Sequence, residues 1–184
     1  MVRSRLLIPL ACSAALLVPA GAGAQSPSCA NADVTPSPSS MPVVRTAILC
    51  LLNAQRAAHG ELALHANASL AHAAGNYSLA MVREGFFDHV SPAGSTLVSR
   101  VHRTTYLNGA HGWALAENIA YGTGGASTPK AIVRMWMHSA GHRANILNPR
   151  YRDIGIGAAL GAPVQVGGAS AAATYTTDFG QRTR

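Results

Sequence analysis

The hydrophobic pattern divides the chain into an apolar leader, a patternless stretch, a helical first half and a strand-rich end. Leu6 to Val18 is mostly apolar and follows Arg3 and Arg5. The run falls short of the roughly 20 residues that a membrane span needs. Ala22-Gly23-Ala24 fits a signal-peptidase site, so residues 1–24 read as a signal peptide with Gln25 first in the mature chain. Cys12 as a lipid anchor is the weaker reading, because Pro9-Leu10-Ala11 fits such a signal poorly and the apolar run continues past it. Residues 25–43 show no periodicity and read as a disordered or disulfide-tied arm. Helical spacing then begins near Val44, with Ile48, Leu51, Leu52 and Ala58 on one stripe and Gly60 as the stop. A second helix is predicted from Ala68 to Val82, capped by Asn67, with Leu70, Ala73, Ala74, Tyr77 and Met81 buried. Ser91-Pro92-Ala93-Gly94 is a turn, and Ser95 to His102 a short helix. Trp113 to Tyr121 reads as a strand or extended loop, and Gly122 to Ala126 as flexible.

Thr128 as cap and Pro129 in the first turn open a further helix, with Ile132, Met135 and Trp136 buried and Gly141 as its end. Ile154 to Leu160 reads as a strand, Val164 to Val166 as a short strand among turn signals, and Ala172 to Phe179 as the last strand. Helices first and strands late give an α+β layout, and residues 44–184 form one domain.

Charge and cysteines change the picture modestly. The chain is +7 with neutral histidines, and removing Arg3 and Arg5 lowers it to +5. The arginines are scattered and do not form a stripe with aromatics, which argues against nucleic-acid binding. Weak attraction to an anionic cell envelope is the inference that remains. Past the leader two cysteines are left, Cys29 and Cys50, an even pair that in an exported protein points to a disulfide; two free thiols are the alternative. The mature form is expected to be an extracellular monomer with no transmembrane segment.

Four local motifs carry the chemistry: Leu51-Leu52-Asn53 with Arg56, Phe86-Phe87-Asp88-His89, Glu117-Asn118-Ile119-Ala120, and Trp136 followed by Gly141-His142-Arg143-Ala144-Asn145-Ile146-Leu147. Their order and separation from about Ala47 to Gly180 resemble the CAP superfamily of cysteine-rich secretory, antigen-five and group-one pathogenesis-related proteins, in its short bacterial form. The resemblance implies a three-layer α-β-α sandwich with an open surface cleft. It also implies that two histidines, His89 and His142, and a glutamate, Glu117, line that cleft. The family's second glutamate falls at Ser139, so the tetrad is incomplete. Any affinity for Zn²⁺ or another divalent cation, resting on His89 and His142, is then expected to be weak.

Taken as residues alone, two imidazoles and a carboxylate could hold Zn²⁺ with one open position. They could equally form a hydrogen-bonded set in which Glu117 fixes a histidine tautomer, or merely join helices to sheet. His138 and His142 are four apart, but no glutamate follows His138 and a helix end is predicted between them. Ser139 lacks the surroundings of a serine nucleophile. Asn67 and Asn76 match the glycosylation pattern, but both fall in or beside a predicted helix. Asn53, Arg56, Arg143 and Asn145 read as residues that lock loop backbone, and Trp136 and Phe86-Phe87 as core. The leading expectation is a non-enzymatic extracellular module that binds a small lipid-like or envelope-derived ligand, or a divalent ion. One alternative is a metal-dependent hydrolase or protease using His89, His142 and Glu117 as catalytic residues. The other is a structural or adhesive surface protein in which those residues only staple the fold.

Overall fold

The computed structural model of the chain describes residues 28–165 and 171–183. The leader segment lies outside the described residues. Among the described residues, five helices and four strands follow in the order α1 (Met41–Ala58), β1 (His65–Ala66), α2 (Ala68–Glu84), α3 (Leu97–His102), β2 (Gly112–Thr123), α4 (Pro129–His138), α5 (Ala140–Ile146), β3 (Asp153–Leu160) and β4 (Ala172–Thr183), with a 3-10 turn over Gly124–Ser127. One sheet has the order β1-β3-β4-β2. Its β2 edge pairs antiparallel with β4, setting Glu117 opposite Asp178 and Ile119 opposite Thr176.

The sheet is the middle of three layers. One face carries the main core, where Val44, Ile48 and Leu52 of α1 and Ile132, Val133 and Trp136 of α4 meet Tyr175 and Phe179 of β4. The other face carries α2 and α3 in two smaller clusters, around Leu70, Val101 and Tyr106 and around Tyr77, Met81 and Ile119. The α-β-α sandwich is therefore the fold. Alternation along the strands sorts the faces: Tyr175 and Phe179 point to α1, while Thr176 meets Ser78 of α2 at 2.9 Å.

Local signals explain the boundaries. Asn67 accepts from the amides of Ser69 and Leu70, and Gly85, at φ 68°, ends α2 in the left-handed conformation. Thr96 and Ser99 form a reciprocal capping box on α3. Gly155 and Gly157 let α2 lie against β3, because a Cβ at either would collide with the α2 backbone at Leu70–Ala71 or Ala74–Gly75.

Several expectations are corrected. The fourth helix stops at His138, where Ser139 turns extended (φ −100°, ψ 122°), and Gly141 lies inside the next helix. Met135 faces solvent, and Val133 takes its place in the core. Phe87 is 40% exposed, so only Phe86 of that pair joins a cluster. Ala58 is exposed, and α1 begins at Met41 with Pro42 in its first turn. Val164 and Gln165 carry no strand, and Val166 lies outside the described residues. The two-residue strand β1 had no signal in the pattern.

Cys29 and Cys50 are bonded, tying the arm to α1 across 21 positions. Loop-closure entropy gives such a link about 3 kcal/mol. Urea unfolding of the Cys29→Ser/Cys50→Ser protein should register a loss near that figure. Gly155→Ala, which forces a methyl into the α2 backbone, should cost about 2–3 kcal/mol in the same assay.

Candidate functional site

The motif residues converge along the free edge of β2. Two edge carbonyls accept from the α4–α5 layer: Ile119 O from Trp136 Nε1 at 3.1 Å, and Glu117 O from Asn145 Nδ2 at 3.3 Å. Asn145 also donates to Asn118 Oδ1 at 2.9 Å, and Asn118 donates to His142 O at 3.1 Å. This chain of amides fixes the first turn of α5, and with it His142, beside β2. It also covers part of an edge that would otherwise invite strand addition.

On the other face, Glu117 is an anchor. Its side chain is 3% exposed. Oε1 accepts from His89 Nδ1 at 2.8 Å, and Oε2 accepts from Arg100 of α3 at 2.6 Å. Arg100 is itself buried, lies 3.3 Å over the Tyr77 ring, and donates to the carbonyls of Ser95 at 2.8 Å and His89 at 3.3 Å. Tyr77 donates to Asp88 O at 2.6 Å. The loop between α2 and α3 is thus held by Arg100, which bonds Glu117, and by Tyr77, which lies against Arg100. His89, with half of its side chain exposed, leaves the loop tautomer-locked: Nδ1 carries the proton and Nε2 is the basic nitrogen.

The two histidines share an electrostatic environment and respond to it in opposite directions. The hydrogen bond that His89 donates to Glu117 raises the imidazole above its ordinary value, against the opposing effect of burial. Burial, followed by the charge of His89, lowers His142, whose Nδ1 is buried and finds no partner among the described residues. Phe87, two residues before His89, forms an edge-to-face pair with Tyr121 of β2, 5.0 Å apart. Ser139 is half-buried at the corner between α4 and α5, and its side chain does not cap α5.

Other candidates stand apart. His138 is exposed and bonds Arg134 O; the bend at Ser139 takes it off the helix that carries His142, so the four-residue spacing makes no pair. Asn53 exchanges two hydrogen bonds with the Leu64 backbone. Arg56, fully buried, donates to the carbonyls of Leu62, Ile146, Asn148 and Tyr151. Arg143 lies on the surface against His59 instead of locking loop backbone. A cavity of about 330 Å³ lies behind Arg100, between α2 and α3, lined among others by His72, Asn76, Tyr77 and Arg103.

The donor set does not fit a tightly held divalent ion. A catalytic zinc takes three protein ligands; here both Glu117 oxygens are engaged, and Ser139 offers a neutral hydroxyl. Among the described residues, no three His, Cys, Asp or Glu side chains gather closely enough to hold a metal. Arg100 and Asp178 were missed by sequence reading. The available signals were an arginine inside a short apolar helix and an acid in a strand whose neighbours are all buried.

Because the folded state favours the imidazolium at His89, that contact stabilises in acid and fades as pH rises past the midpoint of His89. At His142 the folded state favours the neutral ring, so its contribution is lost as pH falls below about 6.5. NMR titration should place the His89 midpoint above that of His142, with Glu117→Gln lowering His89 and closing the gap.

Comparisons with known proteins agree with this fold. The family model described as "CAP: Cysteine-rich secretory protein family" matches residues 49–176. The uncharacterised protein YkwD of Bacillus subtilis is 35% identical over 125 residues, 67% of this chain and 45% of that protein. An extracellular SCP-domain protein from Bacillus anthracis superposes with a TM-score of 0.60 at 27% identity, over 79% of this chain and 44% of that one. The chain thus spans less than half the length of both Bacillus proteins. An outer surface protein of Borrelia burgdorferi, at 18% identity and a TM-score of 0.57, shares the fold over 80% of this chain and 96% of its own. With most of its length matched by the family model, the chain belongs to the CAP, or cysteine-rich secretory protein, family.

Proposed function

We propose that this protein is an extracellular binding module, exported by its leader, that captures a small lipid-like or envelope-derived ligand at the His89–His142 surface without transforming it. One observation carries the reading: both oxygens of Glu117 are committed, to His89 and to Arg100, in a side chain 3% exposed. A general base needs a free lone pair within reach of the proton it takes. Glu117 is 3% exposed and its oxygens already accept from the protein, so neither lies within reach of a substrate proton, and the residues that would serve a hydrolase are absorbed in positioning. What faces outward is an imidazole that readily becomes cationic, a second imidazole held neutral, and the apolar pair of Phe87 and Tyr121. A weakly acidic headgroup joined to an apolar body matches that combination.

Only one observation favours a metal. His89 gives its Nδ1 proton to a carboxylate, the orientation that second-shell acids impose on metal-binding imidazoles. With two imidazoles as donors, Zn²⁺ affinity should be weak and should vanish in His89→Ala/His142→Ala.

The decisive assay uses the mature protein against palmitate, phosphatidylglycerol vesicles and soluble peptidoglycan fragments, followed by calorimetry. Wild type should bind one of these, and His89→Ala/His142→Ala should lose at least tenfold in affinity with its melting temperature little changed. Equal binding by both proteins, or turnover of the bound ligand by wild type, contradicts the proposal.

A further inference from the structure

The sheet carries a second acid that the cleft leaves unused. Asp178 lies on β4 directly opposite Glu117 of β2 and opposite Gly155 of β3. Residues in register on adjacent strands project from the same face with Cβ atoms about 5 Å apart. The Asp178 carboxyl therefore stands beside Glu117, beneath α2. It is wholly buried, and neither of its oxygens meets a donor among the described residues. Ionised, it would be a charge stripped of water with nothing in exchange, which a protein interior avoids by keeping the proton on.

The surrounding charges favour the proton on balance, since Glu117 opposes ionisation more than Arg100 favours it. The groups that face Asp178 are Glu117 from β2 and Arg100 from α3. His89 lies beyond Glu117, and Tyr77 of α2 lies against Arg100. Arg100 already bonds Glu117, so a second carboxylate would leave the core with one uncompensated negative charge. Of the two acids, Glu117 is the one to which His89 and Arg100 both donate, while among the described residues nothing donates to Asp178. Burial, then the negative charge of Glu117, hold Asp178 well above the usual carboxylate range.

We propose that Asp178 is a protonated acid that donates its hydrogen to Glu117, so that the pair carries a single negative charge and Asp178 positions Glu117 for His89. The carboxylate of Glu117 then accepts from three sides: an imidazole at the surface, a guanidinium and a carboxyl in the core. The functional meaning rests on His89 being a residue of the binding surface; the protonation itself is tested without any ligand.

A folded state that keeps a proton which the unfolded chain releases above about pH 4 must lose stability as pH rises. Asp178→Asn removes that dependence while keeping a neutral donor of the same shape. Urea unfolding of the mature protein between about pH 4 and pH 8 should show the wild-type folding constant falling relative to Asp178→Asn, by up to about tenfold per pH unit. Asp178→Ala should run parallel to Asp178→Asn from a lower starting point. Infrared spectra near pH 7 should contain a protonated-carboxyl stretch that moves on ¹³C labelling of aspartate and is missing from Asp178→Asn. Should that variant fail to fold, the labelled wild-type spectrum decides alone. Parallel pH profiles for wild type and Asp178→Asn, or a spectrum with no protonated aspartate, would overturn the proposal. Neither readout involves the cleft ligand, so the binding assay stands or falls separately.

Discussion

The site depends on one buried ion pair, Arg100 with Glu117, made between a six-residue helix and the edge strand of the sheet. Neither partner has meaningful access to water. Burying two charges is costly, and the cost is offset only where geometry is good and the remaining hydrogen-bonding positions are filled. Here they are largely filled. Arg100 spends its other contacts on two loop carbonyls and an aromatic face, and Glu117 its second oxygen on His89. The pair therefore sets the shape of the loop between α2 and α3, and through it where His89 stands.

The opposite wall uses neutral chemistry. Asn118, Asn145 and Trp136 tie β2 to α4 and α5 through carbonyls and amides, and His142 is placed as a consequence. An edge strand gains twice from this. Its unpaired groups are partly satisfied, and the two layers that carry the histidines are fixed to the same strand. The site is thus a property of strand β2, with one histidine delivered from each side of the sheet.

Much of this was legible in sequence, because it rests on local rules. Asn67 and Thr128 with Pro129 mark helix starts by side-chain and backbone chemistry that acts within a few residues. The four motifs gave the family and so the sandwich. What stayed hidden depends on tertiary partners. An arginine in a short apolar helix does not name its partner, since the role of Arg100 exists only once α3 lies against β2. Asp178 looks like an ordinary strand acid until register sets it opposite Glu117. Met135 and Val133 exchanged places because α4 is packed from one direction only, which periodicity over ten residues does not resolve. Ser139, read as a missing acid, proved to be the corner at which one helix becomes two.

The central claim is that Arg100 and Glu117 act as one unit, and a double-mutant cycle tests it most directly. Unfolding free energies would be measured for wild type, Arg100→Met, Glu117→Met and the double variant. Each single change strands a buried charge and should cost about 3–5 kcal/mol. The double variant strands neither, so its loss should fall below the sum of the singles by about 2 kcal/mol or more. Losses that add to within about 0.5 kcal/mol would show two independent residues and contradict the account.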